Sequence, residues 1–349
     1  MASIRMESFE ECVFCGVGGE RLYCRMKDRL FGVPGEFGFR RCQDCGLIWL
    51  DPRPIEEDIS KCYERYYTHE NVQENSTGGE SRLFSKLRDA LRQAILCGYY
   101  GYRHIYGEDR RLCRIGPLLA KVPLLRYRAV YDDMRERFPK YVEKENNLLI
   151  DIGCGRGDYL ARMKRLGWNV LGVEPDLQSA ALAREKGVPV LVGNLGNARI
   201  PDDAADQVTL QHVIEHLRDP AAGIRECHRI LRKGGRVVIY TPNQESLGHR
   251  VFKNAWLHLD PPRHLFIFSE RSMKRLIEKS PFREYSIKTI PTSAPNIFDS
   301  SILISREGRI NKGKIPRQKG RQLFAWKEKL MCSLGRQQGE EIEAILIKS

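Results

Sequence analysis

The sequence predicts an α/β fold, a parallel sheet with helices on both faces, joined to a small N-terminal cysteine module. Three observations predict it. Between residues 146 and 290, short apolar runs alternate with amphipathic stretches, the pattern of βαβ units. The first of these runs opens "LLIDIGCGRGDYL", in which an apolar strand ends on Asp151 and glycines follow at 153, 155 and 157. Nearer the start, two C-x-x-C pairs, Cys12/Cys15 and Cys42/Cys45, stand with 26 residues between them.

In chain order, residues 1–54 are rich in Cys and Gly and read as one module. A glycine follows each C-x-x-C pair, which lets backbone amides turn toward the thiolates. Two such knuckles make a tetrahedral four-thiolate zinc site, a zinc ribbon held by Cys12, Cys15, Cys42 and Cys45. Four thiolates saturate the metal, so this zinc is structural. The other cysteines, Cys24, Cys62, Cys97, Cys113, Cys154, Cys227 and Cys332, read as isolated reduced thiols. No apolar leader is visible in "MASIRMESFEEC", and a cytoplasmic chain is expected.

Residues 55–145 read as a basic, helical connecting or cap region. In "SRLFSKLRDALRQAIL", Phe84, Leu87, Leu91 and Ile95 fall on one helical stripe, with Arg82, Lys86, Arg88 and Arg92 around its polar side. Such a helix either caps the sheet or lies on an anionic membrane surface.

Residues 146–349 form the main domain. Strands are expected at Leu148–Asp151, Asn169–Val173, Val188–Val192, Asp206–Gln211, Arg236–Tyr240 and Tyr285–Ile290. Helices are expected in "YLARMKRLG", "LQSAALAREKG" and "AAGIRECHRILRKGG" between them. A polar, basic insertion covers 291–338. The last stretch, 340–348, alternates like a strand that joins the sheet late as a seventh, antiparallel member.

Ligands of open parallel sheets bind beyond the carboxyl ends of the strands. Gly153, Gly155 and Gly157 lie there, where missing side chains let amides and the next helix N-terminus face a ligand. The spacing is G-x-G-x-G, with Asp158 where a dinucleotide fingerprint would carry its third glycine. Glu174 closes the second strand, 23 residues after Asp151, where a carboxylate takes ribose hydroxyls. Asn194 and Leu195 follow the third strand and Gln211 ends the fourth. Over about residues 146–290 this order closely resembles the class I S-adenosylmethionine-dependent methyltransferases. The resemblance implies a Rossmann-like seven-stranded sheet and S-adenosylmethionine as cofactor. It implies a cofactor site lined by Asp151, Gly153, Gly155, Gly157, Glu174, Asn194, Leu195 and Gln211.

"HVIEH", His212 to His216, also fits the H-x-x-E-H pattern of zinc peptidases. That chemistry needs both histidines on one helical face, and His212 follows directly on a strand. The quinone-biosynthesis O-methyltransferases have a similarly placed acid/histidine cluster associated with a divalent metal, and His212, Glu215 and His216 match it in part. The roles open to these residues are holding such a metal, positioning an acceptor or taking its proton, or capping the next helix.

The run "TPNQESLGHRVFKNAWLHLDPPRHLFIFS", residues 241–269, resembles a P-N…W…L-D-P-P-R-H-L segment. That segment occurs in a methyltransferase subgroup associated with glycan and natural-product pathways. The resemblance implies an acceptor wall or lid. In it His264 is the candidate general base, Arg263 an anchor for a phosphate or carboxylate, and Trp256 a surface for a sugar. "CGLIWLDPRP…YERYY" is similar to the N-terminal zinc module of some deoxysugar C-methyltransferases as far as about residue 70.

The net charge is +13, of which segments 80–128 and 306–329 carry +7 each. So local a charge points to anionic partners. The composition is that of a folded chain, and no run approaches the ~18 apolar residues of a membrane span. Three functions are weighed. The first is a methyltransferase for a small-molecule or glycan acceptor (a sugar, lipid-linked saccharide or natural product), with peripheral contact to an anionic inner membrane face through the two basic segments. The second is an RNA methyltransferase, since some ribosomal RNA enzymes join a four-cysteine module to this fold. The third is a non-enzymatic zinc-ribbon interaction protein. The lid motif and the lack of an aromatic-plus-basic RNA-binding module favour the first. The intact glycine loop and Glu174 disfavour the third.

Overall fold

The computed structural model describes residues 4–63, 82–106, 110–122, 125, 138–291, 293–310 and 315–349. It is an α/β protein built on one seven-stranded sheet. The strands are β6 (Leu148–Ile152), β7 (Asn169–Glu174), β8 (Val190–Val192), β9 (Ala205–Gln211), β10 (Leu231–Pro242), β12 (Glu284–Ile290) and β13 (Glu341–Ile347), in the order β12-β13-β10-β9-β6-β7-β8. β6 pairs parallel with β7, and β7 with β8. β13 runs antiparallel between β10 and β12, with Ile239 opposite Ala344 and Ala344 opposite Ile287. Two compact units divide the chain: Met1–Tyr67 with 200–203 and 208–349, and Thr68–Arg199 with 204–207.

In the second unit, four of the five β6 residues are buried, as expected of a Leu/Ile run covered on both faces. Helix Asp158–Arg165 follows it after the glycine loop 153–157. Helix Leu177–Glu185 follows β7, and its N-cap Asp176 accepts from the Ser179 amide at 2.7 Å. Helices Arg82–Gly98 and Arg110–Ala120 lie side by side. This brings the Cα atoms of Cys97 and Cys113 to 5.2 Å, within reach of a disulfide, and the two are bonded. The expectation of isolated thiols fails at this pair because helix packing, which cysteine spacing does not encode, brings them together. Burial varies along the apolar stripe of helix Arg82–Gly98. Ile95 is fully buried while Leu87 is 68% exposed, and the Phe84 side chain lies outside the described residues.

In the first unit, helix Pro220–Ile230 is capped by Asp219, which accepts from the Ala222 amide at 2.8 Å. The sequence pattern carries this helix on through "LRKGG". Instead β10 begins at Leu231, because the Gly234 amide donates to the Lys348 carbonyl and the Lys348 amide to the Gly235 carbonyl. Those ladder bonds satisfy backbone groups that a longer helix would have used.

The first unit also holds a two-stranded ladder, β1 (Met6–Glu7) with β5 (Arg53–Pro54), and a four-stranded antiparallel sheet in the order β11 (Phe266–Ile267), β4 (Ile48–Leu50), β3 (Phe37–Arg41), β2 (Glu20–Met26). Phe266 lies opposite Trp49 and Ile267 opposite Ile48. The cysteine module and the 241–269 segment therefore share one sheet. Among the described residues no helix is long and apolar enough to cross a membrane.

Candidate active site

The glycine loop is closed by its own backbone. The Gly153 and Cys154 amides both donate to the Val173 carbonyl, at 2.8 and 3.2 Å. Gly155 has φ 52°, and a Cβ there would meet nothing within 4 Å, so its outer side is open space. Gly157 serves differently: at φ 71° a Cβ would stand 2.7 Å from that of Ala183, and the missing side chain lets helix Leu177–Glu185 pack close.

Glu174, at the end of β7, is buried and doubly held. Its Oε2 accepts from the Gly155 amide at 2.8 Å and its Oε1 from the Asp176 amide at 3.0 Å. Burial raises its carboxyl above the ordinary range, against those two amides. Asp151 is buried at the end of β6. Asn194 and Asn197 bond each other reciprocally, each side-chain oxygen accepting from the other's amide at 2.8 and 3.1 Å. Leu195 packs inward, whereas Asn194 is exposed. Gln211 is the last residue of β9.

The four module cysteines come together. Their sulfurs all lie within 4.8 Å of one another, and Cys12 and Cys45 Sγ are 3.6 Å apart. A tetrahedron with Zn–S of ~2.3 Å has edges of roughly 3.8 Å, so the donor set fits zinc. The Gly16 amide donates to the Cys12 carbonyl and the Gly46 amide to that of Cys42, which closes both knuckles.

Further along the first unit, β9 runs into His212, whose φ is 55°, and a single 3-10 turn, Ile214–His216. Glu215 is fully buried. Its Oε1 accepts from His212 Nδ1 at 3.2 Å and its Oε2 from the Thr241 hydroxyl at 3.0 Å. His212 Nε2 faces Glu341 Oε1 at 3.2 Å. Burial works against charge on His212, but Glu341 and Glu215 outweigh it and push its pKa up to about 9. His212 is thus an imidazolium clamped by two carboxylates, which removes it as a proton acceptor at neutral pH.

The ligand-type atoms of Glu215, His216 and His264 lie within 4.8 Å of one another. His264 thus completes the group with Glu215 and His216, while His212 touches Glu215 from outside it. The His216 and His264 rings are 4.8 Å apart at their centroids. His264 Nδ1 donates to the His258 carbonyl at 2.7 Å, and since a carbonyl only accepts, the lone pair of the neutral ring is on Nε2. His216 Nδ1 similarly donates to the Arg263 carbonyl at 3.0 Å, with the Tyr63 hydroxyl at the same distance. Burial and the neighbouring His264 push the His216 pKa down to about 4, so its ring is neutral.

Two residues of the 241–269 segment are used up within the protein. Arg263 is buried, its Nη1 and Nη2 each 2.8 Å from Asp28 and its Nε 3.0 Å from Asp260 Oδ2. It has no donor turned toward an acceptor anion. Trp256 is buried against His249 and donates from Nε1 to Glu340 Oε2 at 2.8 Å, so no face is left for a sugar. Sequence reasoning missed Tyr63, His258 and Glu341. For Glu341 a signal existed: the alternation in "EEIEAILIK" places acids at 341 and 343 on one face, and both are buried.

Comparison with known proteins bears on residues 124–286, which match the model of a methyltransferase domain. Over 103 residues the chain is 35% identical to a ubiquinone biosynthesis O-methyltransferase of Pseudomonas aeruginosa, a stretch covering 28% of this chain and 44% of that protein. The chain spans less than half the length of the curated relatives it matches. A geranyl diphosphate C-methyltransferase structure from Streptomyces coelicolor is similar at TM-score 0.45 and 14% identity, covering 83% of this chain and 98% of that one. A SAM-dependent methyltransferase from Archaeoglobus fulgidus gives TM-score 0.40 and 21% identity, with 66% and 94% covered.

Proposed function

We propose that the protein transfers a methyl group from S-adenosylmethionine to a small-molecule acceptor, of the sugar, lipid-linked saccharide or natural-product kind. The observation that supports this most is the buried Glu174 at the end of β7, tied to the open Gly155 of the loop after β6. When bound, the cofactor supplies a sulfonium-borne methyl to an acceptor nucleophile. Glu174 would hold the ribose hydroxyls, Asp151 the cationic amine, and Asn194 and Leu195 the adenine. Rate comes chiefly from alignment of donor and acceptor. On the acceptor side, His264 Nε2 receives the proton that the nucleophile loses, while the clamped His212 fixes Glu215.

In this reading 1–54 is a zinc ribbon, 55–145 a connecting region and 146–349 the catalytic domain, with 241–269 as its acceptor wall. Glu215, His216 and His264 also form a nitrogen–nitrogen–oxygen donor set that fits a divalent cation. With such a cation bound, His264 would be a ligand rather than a base. Incubating purified protein and labelled S-adenosylmethionine with a small-molecule extract or with total RNA tests the reading. Label in the small-molecule fraction supports it, and label in RNA alone overturns it.

A further inference from the structure

Helix Arg321–Ser333 is apolar on two opposite faces. Its inner face carries Phe324 and Ala325, with Phe324 packed against Phe298 at 5.0 Å and Phe252 at 6.1 Å between ring centroids. On the outer side Leu323, Trp326, Leu330 and Leu334 are 69, 61, 38 and 65% exposed. Their spacing of three, four and four residues aligns them along one stripe, continued by Leu334 just past the last turn. Single exposed leucines are ordinary, but four in a row make a patch. Exposed cations rim it: Arg317, Lys319, Lys327, Lys329 and Arg336. The one carboxylate between residues 315 and 336, Glu328, is buried.

Charge decides what covers the stripe. A second copy laid on the same face would set these cations against each other, whereas anionic headgroups neutralise them. We infer that this helix docks on the surface of an anionic bilayer, with its leucines and Trp326 in the headgroup–acyl boundary and the lysines at phosphate level. The docking uses no residue of the methyl-transfer site, so it stands or falls separately from that function.

The protein carries its own reporter. Of four tryptophans, Trp49, Trp168 and Trp256 are buried and Trp326 alone is exposed. Vesicles of phosphatidylcholine with phosphatidylglycerol should shift its emission to the blue, protect it from acrylamide and carry the protein upward in flotation. Vesicles of phosphatidylcholine alone should do so weakly. Leu323→Ser/Leu330→Ser keeps the reporter and should abolish the shift. Lys327→Gln/Lys329→Gln should weaken partitioning about fivefold per cation, the equivalent of ~1 kcal/mol each. All four positions are exposed, so unchanged melting temperatures separate lost docking from misfolding. No shift with anionic vesicles, equal binding to neutral ones, or a blue shift that grows with protein concentration in their absence would each overturn the inference.

Discussion

The Gly155 amide donates to Glu174 Oε2 at 2.8 Å, which joins the loop after β6 to the last residue of β7 through a single buried carboxylate. Glu174 thereby positions the loop as well as offering an acceptor to a ligand. Glu174→Ala should weaken S-adenosylmethionine binding by about 1–3 kcal/mol, the scale for losing a charged hydrogen-bond partner. Gly155→Arg should abolish it by filling the open side of the loop. Titration calorimetry measures both. Since burial raises the Glu174 carboxyl, affinity should begin to fall on acidification at a higher pH than an ordinary glutamate would give.

Purified protein should carry about one zinc per chain, lost in Cys42→Ser/Cys45→Ser. Elemental analysis that finds undiminished zinc in this variant removes Cys42 and Cys45 as ligands. Two metals per chain, one of them lost in His264→Ala, would assign the second to Glu215, His216 and His264.

His264→Ala should lower turnover by roughly 10²–10⁴-fold, the usual contribution of a general base, with cofactor affinity nearly unchanged. A purely packing role predicts a lower melting temperature and unchanged turnover per folded molecule. Steady-state kinetics alongside thermal melts tells these apart.

Asp28→Asn should destabilise the protein by about 3 kcal/mol, the low end for breaking a buried ion pair, because Asp260 still faces Arg263. Burial alone would raise the Asp28 carboxyl, but Arg263 holds it below its ordinary 3.8. A depressed carboxylate contributes stability at pH above its unfolded value, which is lost as pH falls through the folded one. The stability difference between wild type and Asp28→Asn should therefore be constant above about pH 5 and shrink toward the depressed value. Denaturant melts across pH 2–7 measure this.

The central strands were legible because a parallel strand buried on both faces reads as a short apolar run, as Leu148–Ile150 does before Asp151. The cysteine cluster was legible from knuckle spacing. Less could be read where a side chain's partner is remote in sequence. Arg263 looks like an anion anchor until Asp28, 235 residues away, claims it. His212 looks like a base until Glu341 arrives on the last strand. The Leu231 boundary was missed because ladder bonds to Lys348 override a helical pattern. Helix Arg321–Ser333 read only as part of a polar, basic insertion, because its cations stand among apolar residues that occupy both of its sides.

The pairing of Ile48 and Trp49 with Ile267 and Phe266 also sets an order of events during synthesis. The four clustered cysteines, Cys12, Cys15, Cys42 and Cys45, are all translated by residue 45, whereas the strand that covers β4 comes more than two hundred residues later. At ~5–20 residues per second the ribosome needs on the order of 10–40 s to deliver it. Through that interval the nascent module presents a bare strand edge, the kind of surface that recruits another chain. The four-cysteine cluster is therefore complete early in the life of the polypeptide, whereas edge closure comes late, with an open pairing edge in the time between.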